Sequence, residues 1–129
     1  MKRHASLIKL SREHHAGLVL SKRISVCASD VASQTSMSHT VLQSLANELL
    51  PHFEEEERDI LPILQGRYDA ERTRALQDHD SLLRLASRIA GGDASALTEF
   101  GQILSAHIRF EERELFPLYE SLITTKGTP

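Results

Sequence analysis

Residues 52–62 read His52-Phe-Glu-Glu-Glu-Glu-Arg-Asp-Ile-Leu-Pro62, and residues 107–117 read His107-Ile-Arg-Phe-Glu-Glu-Arg-Glu-Leu-Phe-Pro117. Laid over each other, His52 matches His107, Glu56 matches Glu111, Glu57 matches Glu112, Arg58 matches Arg113 and Pro62 matches Pro117. Between them Asp59, Ile60 and Leu61 face Glu114, Leu115 and Phe116, which are conservative exchanges. On an α-helix a residue and its neighbour four positions on lie on one face, about 6 Å apart. Each copy therefore points an imidazole and a carboxylate the same way.

A fainter echo relates the remaining segments. Glu13-His14 falls over Asp78-His79, and Leu18, Leu20, Arg23 and Ile24 then fall over Leu83, Leu85, Arg88 and Ile89. Leu, Ala, Glu and Arg dominate and aromatic residues are only 5%, which favours helices over strands. Breaks at 28–36, 65–69 and 91–95 divide a single domain, 1–129, into helices at about 6–32, 38–64, 70–90 and 94–123. Ser6 or Ser11 is expected to cap the first helix, Asp69 the third and Asp93 the fourth. Apolar stripes run through Leu7, Leu10, Leu18 and Ile24, and through Leu76, Leu83, Leu85 and Ile89. Pro51 should kink the second helix rather than split it, because Leu45, Leu49, Phe53, Ile60 and Ile63 keep their phase across it. Short connections favour antiparallel neighbours, so the expected fold is all-α, an up-down-up-down antiparallel four-helix bundle.

Two hairpins related by an approximate two-fold would bring His14, His52, Glu56, His79, His107 and Glu111 to a common centre. Imidazole and carboxylate donors suit iron, manganese, cobalt or zinc, and with a single cysteine there is no thiolate set to suggest a structural zinc. Two carboxylates among four imidazoles fit a dinuclear site whose metals lie about 3.5–4 Å apart, each Glu able to bridge them. Burying such a set without metal would be costly. His14 is favoured over His15 because it is in phase with Leu7, Leu10 and Leu18. Most of the run Glu54–Glu57 reads as a solvated face, and Glu57 and Glu112 as solubilising residues or partners of basic side chains. His4 and His39 read as surface residues and Cys27 as a small core residue.

These stretches resemble the hemerythrin-like family, also described as the HHE cation-binding domain. The resemblance covers nearly the whole chain. It is most specific at His52-Phe-x-x-Glu56-Glu57 and His107-x-x-x-Glu111-Glu112, with Glu13-His14 and Asp78-His79 at the family's other histidine positions. It implies two iron ions in an oxo- or hydroxo- and carboxylate-bridged di-iron centre that handles dioxygen or senses iron and redox state. The chain departs from the family's oxygen carriers, which have two histidines one turn apart on the third helix. Here Ala75 and Leu83 lie one turn from His79. The carriers also place an Asp five residues after their last histidine, where this chain has Glu111 four after His107. The expected site is one imidazole short, with a water, a second carboxylate oxygen, His15 or a neighbouring Glu to fill the gap.

Fifteen basic against eighteen acidic side chains give a net charge of −3, which offers no basic field for nucleic acid or an anionic membrane. No apolar run is long enough for a membrane span, and the basic start Met1-Lys-Arg-His-Ala-Ser lacks a signal peptide's apolar stretch, so a cytoplasmic location is expected. The expected function is a non-haem di-iron protein that binds or senses dioxygen or a related small diatomic. Rival readings are a small oxidoreductase acting on oxygen, peroxide or nitric oxide, an iron or redox sensor working through a protein partner, and a metal-free interaction bundle. A homodimer is compatible with each.

Overall fold

The computed structural model describes residues 3–127, with side chains to residue 124. Among these residues there are four helices and no strand. Helix α1 is Ile8–Ser25, entered through a 3₁₀ turn at Ala5–Leu7; α2 spans 31–64, α3 is Asp69–Ala90 and α4 spans 96–127. The first break is shorter and earlier than the composition suggested. Asp30 accepts hydrogen bonds from the Ser33 amide and hydroxyl and so starts α2 at Val31. The serines of 33–38 then form the outer turns of α2, since serine is a weak helix former but not a breaker. At the start of the chain His4, not Ser6 or Ser11, supplies the capping side chain, accepting from the Ser6 amide. Cys27 lies half-buried in the 26–30 connection rather than in the core, its thiol facing the carbonyls of Ala28 and Ser33. Asp93 accepts from the Ser95 amide ahead of α4, whereas Asp69 is the first residue of α3 and closes the preceding turn on the Gly66 amide. Gly66 and Gly92, at φ +82° and +97°, turn the chain after α2 and α3, where a side chain would be strained.

Helices α2 and α4 contain π turns at Leu45–Leu49, Glu56–Ile60 and Glu111–Leu115. The following amide bonds five residues back in each: Leu50 to Leu45, Leu61 to Glu56 and Phe116 to Glu111. A proline stands one residue later every time, at Pro51, Pro62 and Pro117. Proline cannot donate to the carbonyl four back and its ring crowds it. The wider turn relieves that conflict, and α2 runs unbroken through Pro51. Each π turn also adds a residue to the helical period. Ile60 and Leu61 are consequently both buried, and Leu64 takes the inward place expected of Ile63, which is exposed. In α3 the core face holds Ala75, His79, Leu82, Leu85, Ala86 and Ile89. Leu83 is exposed, because the buried stripe is centred on the Leu82 side of His79 and the next residue lies about 100° further round.

Two apolar clusters fill the bundle. One joins Leu7 and Leu10 to Ile60, Leu61, Leu64, Ala75, Leu115 and Phe116, that is, the starts of α1 and α3 to the ends of α2 and the inner part of α4. The other joins Leu20 and Ile24 to Val41, Leu49, Leu82, Leu85, Leu97 and Phe100, the opposite ends of the same helices. This pairing of ends is that of an up-down-up-down bundle. Helices α1 and α4 come close through Gly17, where a Cβ would stand 2.6 Å from Ile108 Cδ1, and through Gly101, which faces Ile24. No described helix is long and apolar enough to cross a membrane.

Candidate metal centre

Between the two apolar clusters the bundle turns polar. His14, His52, Glu56, His79, His107 and Glu111 are all buried there, and both glutamates are fully inaccessible. The structure thus brings together all six residues singled out from the sequence. His14 comes from α1, His52 and Glu56 from α2, His79 from α3, and His107 and Glu111 from α4. His15, His4 and His39 are exposed and take no part.

The donors form two overlapping sets, His14, His52, Glu56 and Glu111, and Glu56, His79, His107 and Glu111, with one ligand atom per residue all within 4.8 Å of one another. Both glutamates belong to both sets. Glu56 Oε1 lies 3.0 Å from His79 Nε2 and Glu111 Oε1 lies 2.8 Å from His14 Nε2. Glu56 Oε2 is 3.0 Å from His52 Nε2, and Glu111 Oε2 is 3.4 Å from His107 Nε2. These latter four atoms lack the alignment of a hydrogen bond and are buried without a hydrogen-bond partner. Buried polar atoms are seldom left so, and here all four face the centre. The two histidine pairs match, with ring centroids 4.8 Å apart for His14 and His52 and 4.9 Å for His79 and His107. Where the sequence left a gap for a fifth imidazole, the structure has two imidazoles on each side.

Each histidine is held from behind by a carboxylate on a neighbouring helix. His14 Nδ1 meets Glu112 at 2.6 Å, His79 Nδ1 meets Glu57 at 2.7 Å, His52 Nδ1 meets Glu13 at 2.8 Å and His107 Nδ1 meets Asp78 at 2.9 Å. These four acids obey the same two-fold as the inner donors. Sequence reasoning missed their role, although each stands directly beside one of the six central residues. Three are steadied further out: Glu112 by Ser11 and Arg3, Glu13 by Lys9, and Asp78 by Arg74. With Nδ1–H donated outwards, an Nε2 that gives up its proton to an incoming cation turns its lone pair to the centre, the tautomer of a metal-ligating imidazole.

The electrostatics point the same way. Burial alone would lower the His14 proton affinity, but hydrogen bonds to Glu111 and Glu112 and the nearby Glu56 carboxylate push its pKa up to about 11. Burial likewise opposes His107, yet the charge of Glu111 and the bond to Asp78 push it up to about 10. His52 is raised through Glu56 and Glu13 despite its burial. Burial would raise Glu56, but the Glu111 carboxyl and the imidazoles of His14, His52 and His79 hold it well below the usual carboxylate range. The centre is a concentrated negative site that demands positive charge, from protons or from metal cations.

Phe53 stacks on His79 with centroids 4.1 Å apart, and Phe116 stacks on His14 at 5.2 Å. Phe53, Ile108, Phe110 and Phe116, close to the donors in sequence, are all buried. The sequence profile of the Hemerythrin HHE cation binding domain matches residues 6–119. No curated protein and no solved structure matches the chain.

Proposed function

The chain belongs to the hemerythrin HHE cation-binding family, hence binds metal cations, and we propose that its centre holds two iron ions and binds or senses dioxygen or a related small diatomic. The observation that carries this reading is the pair of donor sets sharing two buried glutamates, with four inward-facing atoms left unpartnered. His14 and His52 would serve one ion and His79 and His107 the other, with Glu56 and Glu111 common to both. When bound, a pair of adjacent irons supplies two-electron redox chemistry to a small ligand.

The chain's own part is to prepare the place. Glu13, Glu57, Asp78 and Glu112 fix each imidazole in one tautomer and orientation, so little reorganisation accompanies loading. Glu56 and Glu111 offset cationic charge in a site without water access of their own. The apolar clusters above and below keep the surroundings dry, which strengthens every electrostatic contact inside. Neither a nucleic acid nor a membrane is needed for this role.

The test is the metal content of freshly purified protein together with its visible spectrum through anaerobic reduction and re-oxygenation. About two irons per chain and an absorption band that disappears on reduction and returns with oxygen are expected. A protein that holds no iron, and takes up none when iron is added anaerobically, overturns the reading.

A further inference from the structure

A cavity of about 320 Å³ lies beside the centre, between α1, α2 and α4. The imidazoles of His14, His52 and His107 form its floor, but neither Glu56 nor Glu111 lines it. The space is therefore additional to the room among the six donors. Its walls are Gly17, Leu20, Leu49, Phe53, Leu104 and Ile108, and it opens between α1 and α2, where Arg12, Glu13 and Ser44 line it beside exposed Ala16, Asn47 and Glu48.

The internal two-fold marks this cavity as a departure. The offset that lays His14 over His79 lays Gly17 over Leu82, which is fully buried. The π turn at Leu45–Leu49, on the cavity's α2 wall, has no counterpart in α4, which is α-helical throughout Ala96–Phe110. Gly17 lets Ile108 of α4 close against α1 where the other half has Leu82, and α2 is widened on the same side.

A diatomic does not account for the volume. One water occupies about 30 Å³ of liquid, and an apolar cavity of about 150 Å³ suffices for benzene. We propose that the cavity binds a small, largely apolar organic molecule the size of a single six-membered ring, with at most one polar group turned towards the floor imidazoles. The aliphatic and aromatic walls favour an apolar body, and a charge set against them, away from Arg12, Glu13 and Glu48 at the rim, would lose its hydration without a partner. This goes beyond the reading of the centre as a diatomic-binding site and requires no cation for its test.

The purified protein is titrated with phenol and, separately, with benzene, by calorimetry and by thermal unfolding, while iron content is measured in parallel. Saturable binding is expected, with the unfolding midpoint rising as the probe concentration rises. Ala16→Trp at the mouth and Gly17→Leu inside should weaken binding roughly tenfold or more. Should Gly17→Leu fail to fold against Ile108, Ala16→Trp, at an exposed position, carries the comparison with its helical circular dichroism as control. No saturable binding of either probe, or undiminished binding by Ala16→Trp, overturns the proposal. Probe binding by a protein that takes up no iron supports the cavity and sinks the di-iron reading; iron uptake without probe binding does the reverse.

Discussion

Glu112 on α4 accepts the Nδ1 hydrogen of His14 on α1 at 2.6 Å, across the interface between two helices that are far apart in sequence. The same contact recurs between Glu57 on α2 and His79 on α3 at 2.7 Å. Carboxylates in this outer position orient the ligand and raise its basicity. Glu112→Gln and Glu57→Gln should therefore each weaken iron binding by about 10–100-fold, measured by competition with a chelator, while the protein stays folded. Glu54→Gln, on the exposed face of the same acidic run, should leave affinity unchanged. If Glu57→Gln behaves like Glu54→Gln, Glu57 is only a solubilising residue.

Glu56 and Glu111 each belong to both donor sets, whereas every histidine belongs to one. Glu56→Gln or Glu111→Gln should consequently lower the occupancy of both positions. His52→Ala or His79→Ala should leave roughly one metal per chain, because the other imidazole pair and both carboxylates remain. Metal analysis after gel filtration distinguishes the two patterns, and equal losses in all four variants would refute shared carboxylates.

Phe53 stacks on His79 and meets His52 and His107 edge-on. Phe53→Ala should cost about 3–5 kcal/mol in denaturant unfolding, the range for deleting a buried phenyl ring. It should also loosen the His79 ring and weaken iron binding. Phe53→Leu should recover most of the stability without recovering the stack, so the two effects separate.

The pKa values of His14 and His107, about 11 and about 10 in the metal-free fold, stand above their ordinary value of 6.5. A proton held more tightly in the folded than in the unfolded chain stabilises the fold fully below the unfolded-state value. That stabilisation is lost as pH rises through the folded-state value. Metal-free protein should accordingly become easier to unfold with urea between about pH 7 and 10. Iron affinity should rise over the same interval, since protons compete for the same nitrogens, and uptake should release protons. Calorimetry in buffers of different ionisation enthalpy measures that release; metal-free stability that climbs with pH would contradict the scheme.

Much of the site was legible because ligand spacing is a local property. His52 and Glu56 lie one turn apart on any helix, and the repeat at His107 and Glu111 marks the second copy. The apolar phase was less legible. Ile63 and Leu83 were expected inside, but the π turn at Glu56–Ile60 advances the phase to Leu64, and the buried stripe of α3 is centred beside Leu82. The serines of 33–38 suggested a loop on composition, while one capping carboxylate, Asp30, makes them helical.

The sequence by itself determined the all-helical class, the two-fold repeat and the six residues at the centre, because helical periodicity and residue chemistry are written along the chain. Only the tertiary structure decided which acid serves which histidine, that both glutamates are shared, and that one flank holds a cavity where the other holds Leu82. Those features depend on contacts between different helices, such as Glu13 with His52 and Asp78 with His107. No local spacing encodes them; they exist once packing has set the height and rotation of each helix against its neighbours.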